Sequence, residues 1–248
     1  MLEKDNFYHG DNLDLIKLID DNYIDLTITS PPYDDIRTYD NIKNWGHDCF
    51  KKIANELFRV TKSGGVVVWV VGDQTKDGTE SGTSFRQALY FKEIGYNIHD
   101  TMIYAKTSTP YPFGFKSNRY TQAFEYMFVF SKGKPKTSNL IKDKKNYYVG
   151  INTATKRQKN GDLVPSNPYF VNSCGYRTNI WEYSQGYGKQ GDHFAIKHPA
   201  SFPEKLVEDH ILTWSNVNDI VLDPFAGPGT VLKVAKKAKR HYIGFEIN

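Results

Sequence analysis

Val221-Leu222-Asp223-Pro224-Phe225-Ala226-Gly227-Pro228-Gly229-Thr230 runs from a short apolar segment through a glycine turn into Val231-Leu232-Lys233-Val234-Ala235, a segment of helical composition. Strand, glycine turn and helix in that order allow backbone to approach a nucleotide-like ligand closely. One Gly-x-Gly is weak evidence by itself. Here Asp223 precedes it, and the next apolar run, His241-Tyr242-Ile243-Gly244-Phe245, ends in Glu246, placed to bind ribose hydroxyls as the acidic residue of a dinucleotide fold does. The stretch predicts an α/β fold with a doubly wound, mostly parallel sheet.

A second stretch lies far upstream. Tyr23-Ile24-Asp25-Leu26-Thr27-Ile28 is β-branched and largely apolar, the pattern of a buried strand, and Thr29-Ser30-Pro31-Pro32-Tyr33 follows where two prolines must end it. Open α/β sheets bind ligands at the carboxyl ends of their strands. The residues there suit attack by an exocyclic amine, whose lone pair is delocalised into its base ring until acceptors hold its hydrogens. Ser30 and the carbonyl of Pro31 can be those acceptors, Pro32 adds a second rigid residue, and Tyr33 can stack on a planar base, worth roughly 1–3 kcal/mol. A plain proline-rich turn accommodates the same tetrapeptide; the glycine turn at the far end of the chain weighs against that plainer reading.

Together the two stretches resemble the β-class DNA amino-methyltransferases, which transfer a methyl group from S-adenosylmethionine to the exocyclic nitrogen of cytosine or adenine. The resemblance takes in Tyr8-His9-Gly10-Asp11, Gly64-Gly65-Val66, Gly72-Asp73 and His198-Pro199-Ala200-Ser201-Phe202-Pro203-Glu204-Lys205, and so most of the chain. It implies a Rossmann-like methyltransferase fold with Ser30, Pro31, Pro32 and Tyr33 as catalytic residues. It places Ser201, Phe202, Asp223, Pro224, Phe225, Ala226, Gly227, Gly229, Thr230 and Glu246 around the cofactor. Asp11 lies either beside the cofactor or simply at the start of a helix. One departure is that the chain ends at Asn248, two residues after Glu246, where relatives continue into another helix.

Composition sets outer limits. A chain of 248 residues with 39% hydrophobic residues is long enough for one sizeable core and is not disordered. No run has the length of a membrane span and the first residues carry no signal pattern, so a cytoplasmic protein without membrane association is expected. Two cysteines, Cys49 and Cys174, are too few for a disulfide framework or a cysteine-rich zinc site, and no metal is expected. The net charge of +4 permits nucleic-acid binding without establishing it.

Along the chain, Asn12–Ile19 and 48–60 have apolar residues at helical spacing, the second stopping at Ser63-Gly64-Gly65 before a strand at Val66–Val71. A helix over Phe85–Tyr90 and strands over Asn97–Tyr104 and Phe124–Phe130 follow. The loop after Tyr33 carries Arg37, which either touches a phosphate or pairs with Asp34 or Asp35. The loop from Ser108 to Tyr120 is either a wandering connection or a wall of the base pocket. From Lys132 the composition turns basic, with Lys142, Lys144, Lys145 and Arg177 interleaved with Tyr147, Tyr148, Tyr169, Tyr176 and Trp181, a pattern suited to contacts with DNA. The expected organisation is 1–131 as the catalytic half, 132–196 as a target-recognition insert and 197–248 as the cofactor half of one domain. Pro203 suits the first turn of a helix from Glu204 to Thr213, and His198 is read as structural.

The expected function is site-specific methylation of double-stranded DNA, with cytosine-N4 favoured because family members opening the Pro-Pro-Tyr motif with Ser are more often cytosine enzymes. Adenine-N6, a non-catalytic DNA-binding module of the same fold, and an RNA substrate are the alternatives. A cognate restriction endonuclease is a partner the resemblance allows. The short tail after Glu246 leaves an apolar sheet face to be covered by the N-terminal segment or by a second copy of the chain, and a homodimer is the expectation drawn from it.

Overall fold

The computed structural model describes residues 2–32, 45–107, 119–184 and 203–247. The chain divides into two compact units, Met1–Asn139 with Asn179–Asn248, and Leu140–Thr178. In chain order, β1 (Asn6–His9) leads to α1 (Asn12–Leu15), a single turn that tightens into a 3-10 turn over Ile16–Leu18. Then come β2 (Ile24–Thr29), α2 (His47–Val60), β3 (Thr61–Val71), a small hairpin of β4 (Thr75–Lys76) and β5 (Thr79–Glu80), α3 (Thr83–Glu93), β6 (Asn97–Lys106) and β7 (Phe124–Ser131). The smaller unit contributes β8 (Lys144–Lys145), β9 (Gly150–Asn152), β10 (Thr155–Arg157), β11 (Leu163–Pro165), β12 (Tyr169–Val171) and β13 (Cys174–Gly175). The larger unit resumes with β14 (Ile180–Tyr183), α4 (Glu204–Trp214), β15 (Ile220–Asp223), α5 (Thr230–Lys237) and β16 (His241–Glu246).

The larger unit is built on one sheet in the order β1-β16-β15-β2-β3-β7-β6-β14, in which β7 alone runs against the rest. The continuous apolar runs of β2 and β3 fit central strands, which helices cover on both faces. From α2, Phe50, Ile53, Ala54, Leu57 and Val60 are buried in the core with Trp69 of β3, Phe91 of α3 and Phe130 of β7. Phe91 stacks on Phe130 with ring centroids 4.4 Å apart. The one polar atom of Trp69 is answered at 2.8 Å by Gln87, as burial of an indole requires.

Several expectations are corrected. The strand expected at Val66 begins at Thr61, directly after α2, because the pairing of Ile24 with Thr61 shifts to Leu26 with Val66, leaving Lys62–Gly65 as a bulge. That bulge is tight: a Cβ on Gly65 would lie 2.8 Å from the Thr61 methyl and 2.9 Å from the Lys62 carbonyl oxygen. The helix expected over Asn12–Ile19 is one α turn and one 3-10 turn, ending where Ile19 becomes extended. Pro203 sits at the N-cap of α4, one residue ahead of its first turn.

The sheet face left open in the sequence reading is covered. Ile243 and Phe245 of β16 are fully buried in one core with Ile16 and Ile19 from the N-terminal turns. On the opposite face Gly244 meets α5 so closely that a Cβ would fall 2.4 Å from Leu232 Cδ1. The argument for a homodimer, which rested on that open face, loses its basis.

The smaller unit is narrower than the expected insert of 132–196, because Lys132–Asn139 and β14 belong to the larger unit. Its strands are antiparallel and nested, β8 with β13, β9 with β12 and β10 with β11, so Leu140–Thr178 is a single two-stranded ribbon. The ribbon turns at Gln158–Asp162, where the Gln158 amide donates to the Asp162 carbonyl at 2.8 Å.

Candidate active site

Four parallel neighbours, β16, β15, β2 and β3, end at one edge of the sheet, in Glu246, Asp223, Thr29 and Val71. Ser30-Pro31-Pro32 follows β2 directly, with Ser30 half-buried and both prolines buried. Proline has no amide to give the ladder, so β2 stops there and the chain leaves the sheet at the edge where β15 also stops.

Asp223 joins the two strands. It is 2% exposed, and its Oδ1 accepts from the Thr29 hydroxyl at 2.7 Å and from the Phe225 amide at 3.1 Å. One buried carboxyl oxygen thus ties the residue before Ser30 to the first residues of the glycine turn. Burial pushes the Asp223 carboxyl up to about 7; the bonds from Thr29 and Phe225 hold it down, and the charge of Glu246 adds to the rise.

The glycine turn is fixed against β16. The Ala226 amide donates to the Phe245 carbonyl at 2.8 Å, and the Gly227 amide donates to Glu246 Oε2 at 2.7 Å. Gly227 and Gly229 have φ of 50° and 80°, left-handed values that glycine takes without the Cβ penalty, and Gly229 caps α5 ahead of Thr230. The N-terminal segment closes the other side: the Gly10 amide donates to the Glu246 carbonyl at 2.8 Å, and the Asn12 side chain donates to the Pro224 carbonyl at 3.2 Å. Asp11 is the N-cap of α1, accepting from the Leu13 amide at 2.7 Å. Phe225 packs edge-on against Trp45, centroids 5.1 Å apart, and against Trp69 at 6.3 Å.

At the end of β3, Asp73 is 7% exposed and receives the Ser84 amide at 2.9 Å, the Ser81 hydroxyl at 3.1 Å and the Ser84 hydroxyl. It fixes the start of α3 at the same edge.

The structure therefore brings Ser30, Pro31 and Pro32 together with Asp11, Asp223, Pro224, Phe225, Ala226, Gly227, Gly229, Thr230 and Glu246. Tyr33, Arg37, Ser201 and Phe202, with His198 and most of the loop from Ser108, lie outside the described residues. Lys142, Lys144, Lys145 and Arg177 belong to the ribbon. There Arg177 pairs with Asp143, its Nε 3.1 Å from the carboxylate, and the Lys142 ammonium stands 4.7 Å over the Tyr176 ring. Sequence reasoning missed Thr29, Asn12 and Trp45 as parts of the site. Thr29 sits inside the quoted motif, but only its partner, at the other end of the chain, shows what its hydroxyl is for.

The donor set fits an S-adenosyl nucleoside. Two left-handed glycines leave the backbone bare at their own positions in the turn, a carboxylate on Glu246 stands beside it, and Phe225 with Trp45 offers an aromatic surface.

A family model described as DNA methylase, of the N6/N4 class, matches residues 24–248. The chain is 54% identical over 235 residues to the orphan methyltransferase M.BamHII of Bacillus amyloliquefaciens, across 93% of this chain and 86% of that one. It shares 28% identity over 257 residues with the type II methyltransferase M.BglII of Bacillus subtilis, across 97% of this chain and 64% of that one. Among solved structures, the cytosine-N4-specific PvuII DNA methyltransferase shares the fold with a TM-score of 0.72 at 22% identity, across 98% of this chain and 82% of that one.

Proposed function

The chain belongs to the N6/N4 DNA methylase family, enzymes that use S-adenosylmethionine, and from that premise we propose that it methylates the N4 amine of cytosine at a specific site in double-stranded DNA. The observation that carries the reading is the bond from Thr29 to Asp223, which holds Ser30-Pro31-Pro32 beside the glycine turn. When bound, S-adenosylmethionine supplies an electrophilic methyl group. The protein's own work is positioning. Glu246 takes the ribose hydroxyls, Phe225 the adenine edge, and the glycines let backbone close on the ligand, with Asp11, Ser201 and Phe202 completing the surround.

Ser30 and the Pro31 carbonyl accept the two hydrogens of the target amine, which frees its lone pair from the ring. Tyr33 stacks on the base once it has left the duplex, a step costing a few kcal/mol. Arg37 and the ribbon lysines contact phosphates. The opening Ser of the motif favours cytosine, while the N6/N4 breadth of the family keeps adenine-N6 as the second reading. The orphan description of the Bacillus amyloliquefaciens relative supports activity without a cognate restriction endonuclease.

The test is a map of modified bases in DNA from cells that express the protein. N4-methylcytosine at a recurring sequence is the expected outcome. N6-methyladenine there would establish the second reading, and unmodified DNA would overturn both.

A further inference from the structure

The ribbon Leu140–Thr178 is too thin to bury a core of its own. Ile151 and Phe170 face each other across β9 and β12 and are 64% and 61% exposed, and an isolated two-stranded ribbon is marginal in water. Something that covers it would stabilise it, and its charge says what. It holds seven basic residues against two acids, Asp143 and Asp162, a net +5 in a chain whose total is +4. The rest of the protein is close to neutral. Two such ribbons repel each other, whereas a polyanion attracts one.

The two ends of the ribbon differ in chemistry. Its open end carries Lys142, Lys144 and Lys145, compact charges suited to phosphate oxygens. Its closed end carries Arg157, Gln158, Lys159 and Asn160 in succession, all exposed. Arginine and lysine match the O6 and N7 acceptors of guanine, glutamine and asparagine match N6 and N7 of adenine, and the major groove is wide enough for a two-stranded ribbon. The turn itself is braced from within, Arg157 donating to the Gly161 carbonyl at 2.9 Å and Asn160 to Asp162 at 2.8 Å. These bonds use part of each side chain's donor capacity.

We propose that the closed end of the ribbon, Arg157 to Asn160, reads base edges in the major groove of duplex DNA and sets the methylation site, while the open-end lysines hold the backbone. This rests on the DNA substrate proposed above and adds which residues choose the sequence.

Wild-type protein and a R157A/Q158A/N160A variant are expressed in cells free of other methylases, and methylated bases are mapped across the genome. The expected result is that preference for the wild-type site over sites differing by one base pair falls by roughly tenfold or more. Affinity for S-adenosylmethionine and the circular dichroism spectrum stay as in wild type. Should the triple variant give no methylation, the single variants Arg157→Lys and Asn160→Ala are read on the same ratio, and duplex affinities rank the sites without methyl transfer. An unchanged site ranking overturns the proposal. So does loss of self-association by light scattering with the ranking intact, which makes the ribbon an interface between copies. Wild-type protein that binds duplexes with a sequence preference but methylates none removes the proposed function and leaves the reader standing.

Discussion

Asp223 is a buried carboxyl whose folded-state pKa, about 7, lies above the unfolded value near 3.9. As pH rises from about 4 to about 7 the unfolded chain gives up this proton while the folded chain keeps it, so this residue's contribution to stability is full at low pH and is lost through that window. Asp223→Asn keeps an acceptor for Thr29 and has no proton to lose. Its thermal stability is expected to vary less with pH between about 4 and 7 than that of wild type; identical pH profiles in calorimetry would show that Asp223 does not titrate there. The partner residue gives a second prediction. Thr29→Val keeps the shape and removes the hydroxyl, leaving a buried acceptor short of one bond at a cost of about 1–3 kcal/mol, and it loosens the residue next to Ser30. Turnover is expected to fall while affinity for S-adenosylmethionine changes little, with Thr29→Ser restoring turnover. If Thr29→Val and Thr29→Ser turn over alike, the hydroxyl does not position the site. None of this was legible from the chain, since the bond spans 194 positions and a threonine at the end of a strand carries no local mark of a distant carboxyl.

At the scale of elements, the central strands were readable because their apolar, β-branched runs admit few other structures. Val66–Val71 and Ile220–Asp223 are buried throughout. What hid the true start of β3 was Ser63-Gly64-Gly65, which reads as a turn and is a bulge in the ladder. The ribbon was hidden for a different reason: its strands are two or three residues long and hold no fully buried residue, so no alternation of polar and apolar residues announces them. The seat of α5 on β16 was half visible. Gly244 stands out in an apolar strand, and the structure shows that Leu232 occupies the space a side chain would need. Gly244→Ala is expected to destabilise the protein by about 1–3 kcal/mol through overpacking. Combined with Leu232→Ala it should cost less than the two changes summed, because they share one contact. Strict additivity in thermal unfolding would mean that the strand and helix separate freely.

For the molecule as a whole, the gathering of net positive charge in the ribbon makes a prediction about salt. Lys142→Ala, Lys144→Ala and Lys145→Ala together are expected to lower the slope of log affinity for duplex DNA against log salt by about 2 to 3, with S-adenosylmethionine affinity unchanged. A slope equal to wild type would make these lysines an ordinary solvated face. A different consequence follows from the edge of the sheet where β1 lies parallel to β16, with Asn6 opposite Ile243 and His9 opposite Glu246. Glu246 is then three strand residues beyond the level of Asn6, about 10 Å, a gap that a handful of linker residues can bridge. The order of the motifs along the gene is therefore a matter of where the circle is cut. A chain joined across that gap and opened at the ribbon turn would present the glycine turn first and Ser-Pro-Pro-Tyr second, and would assemble the same neighbours around the same two strand ends.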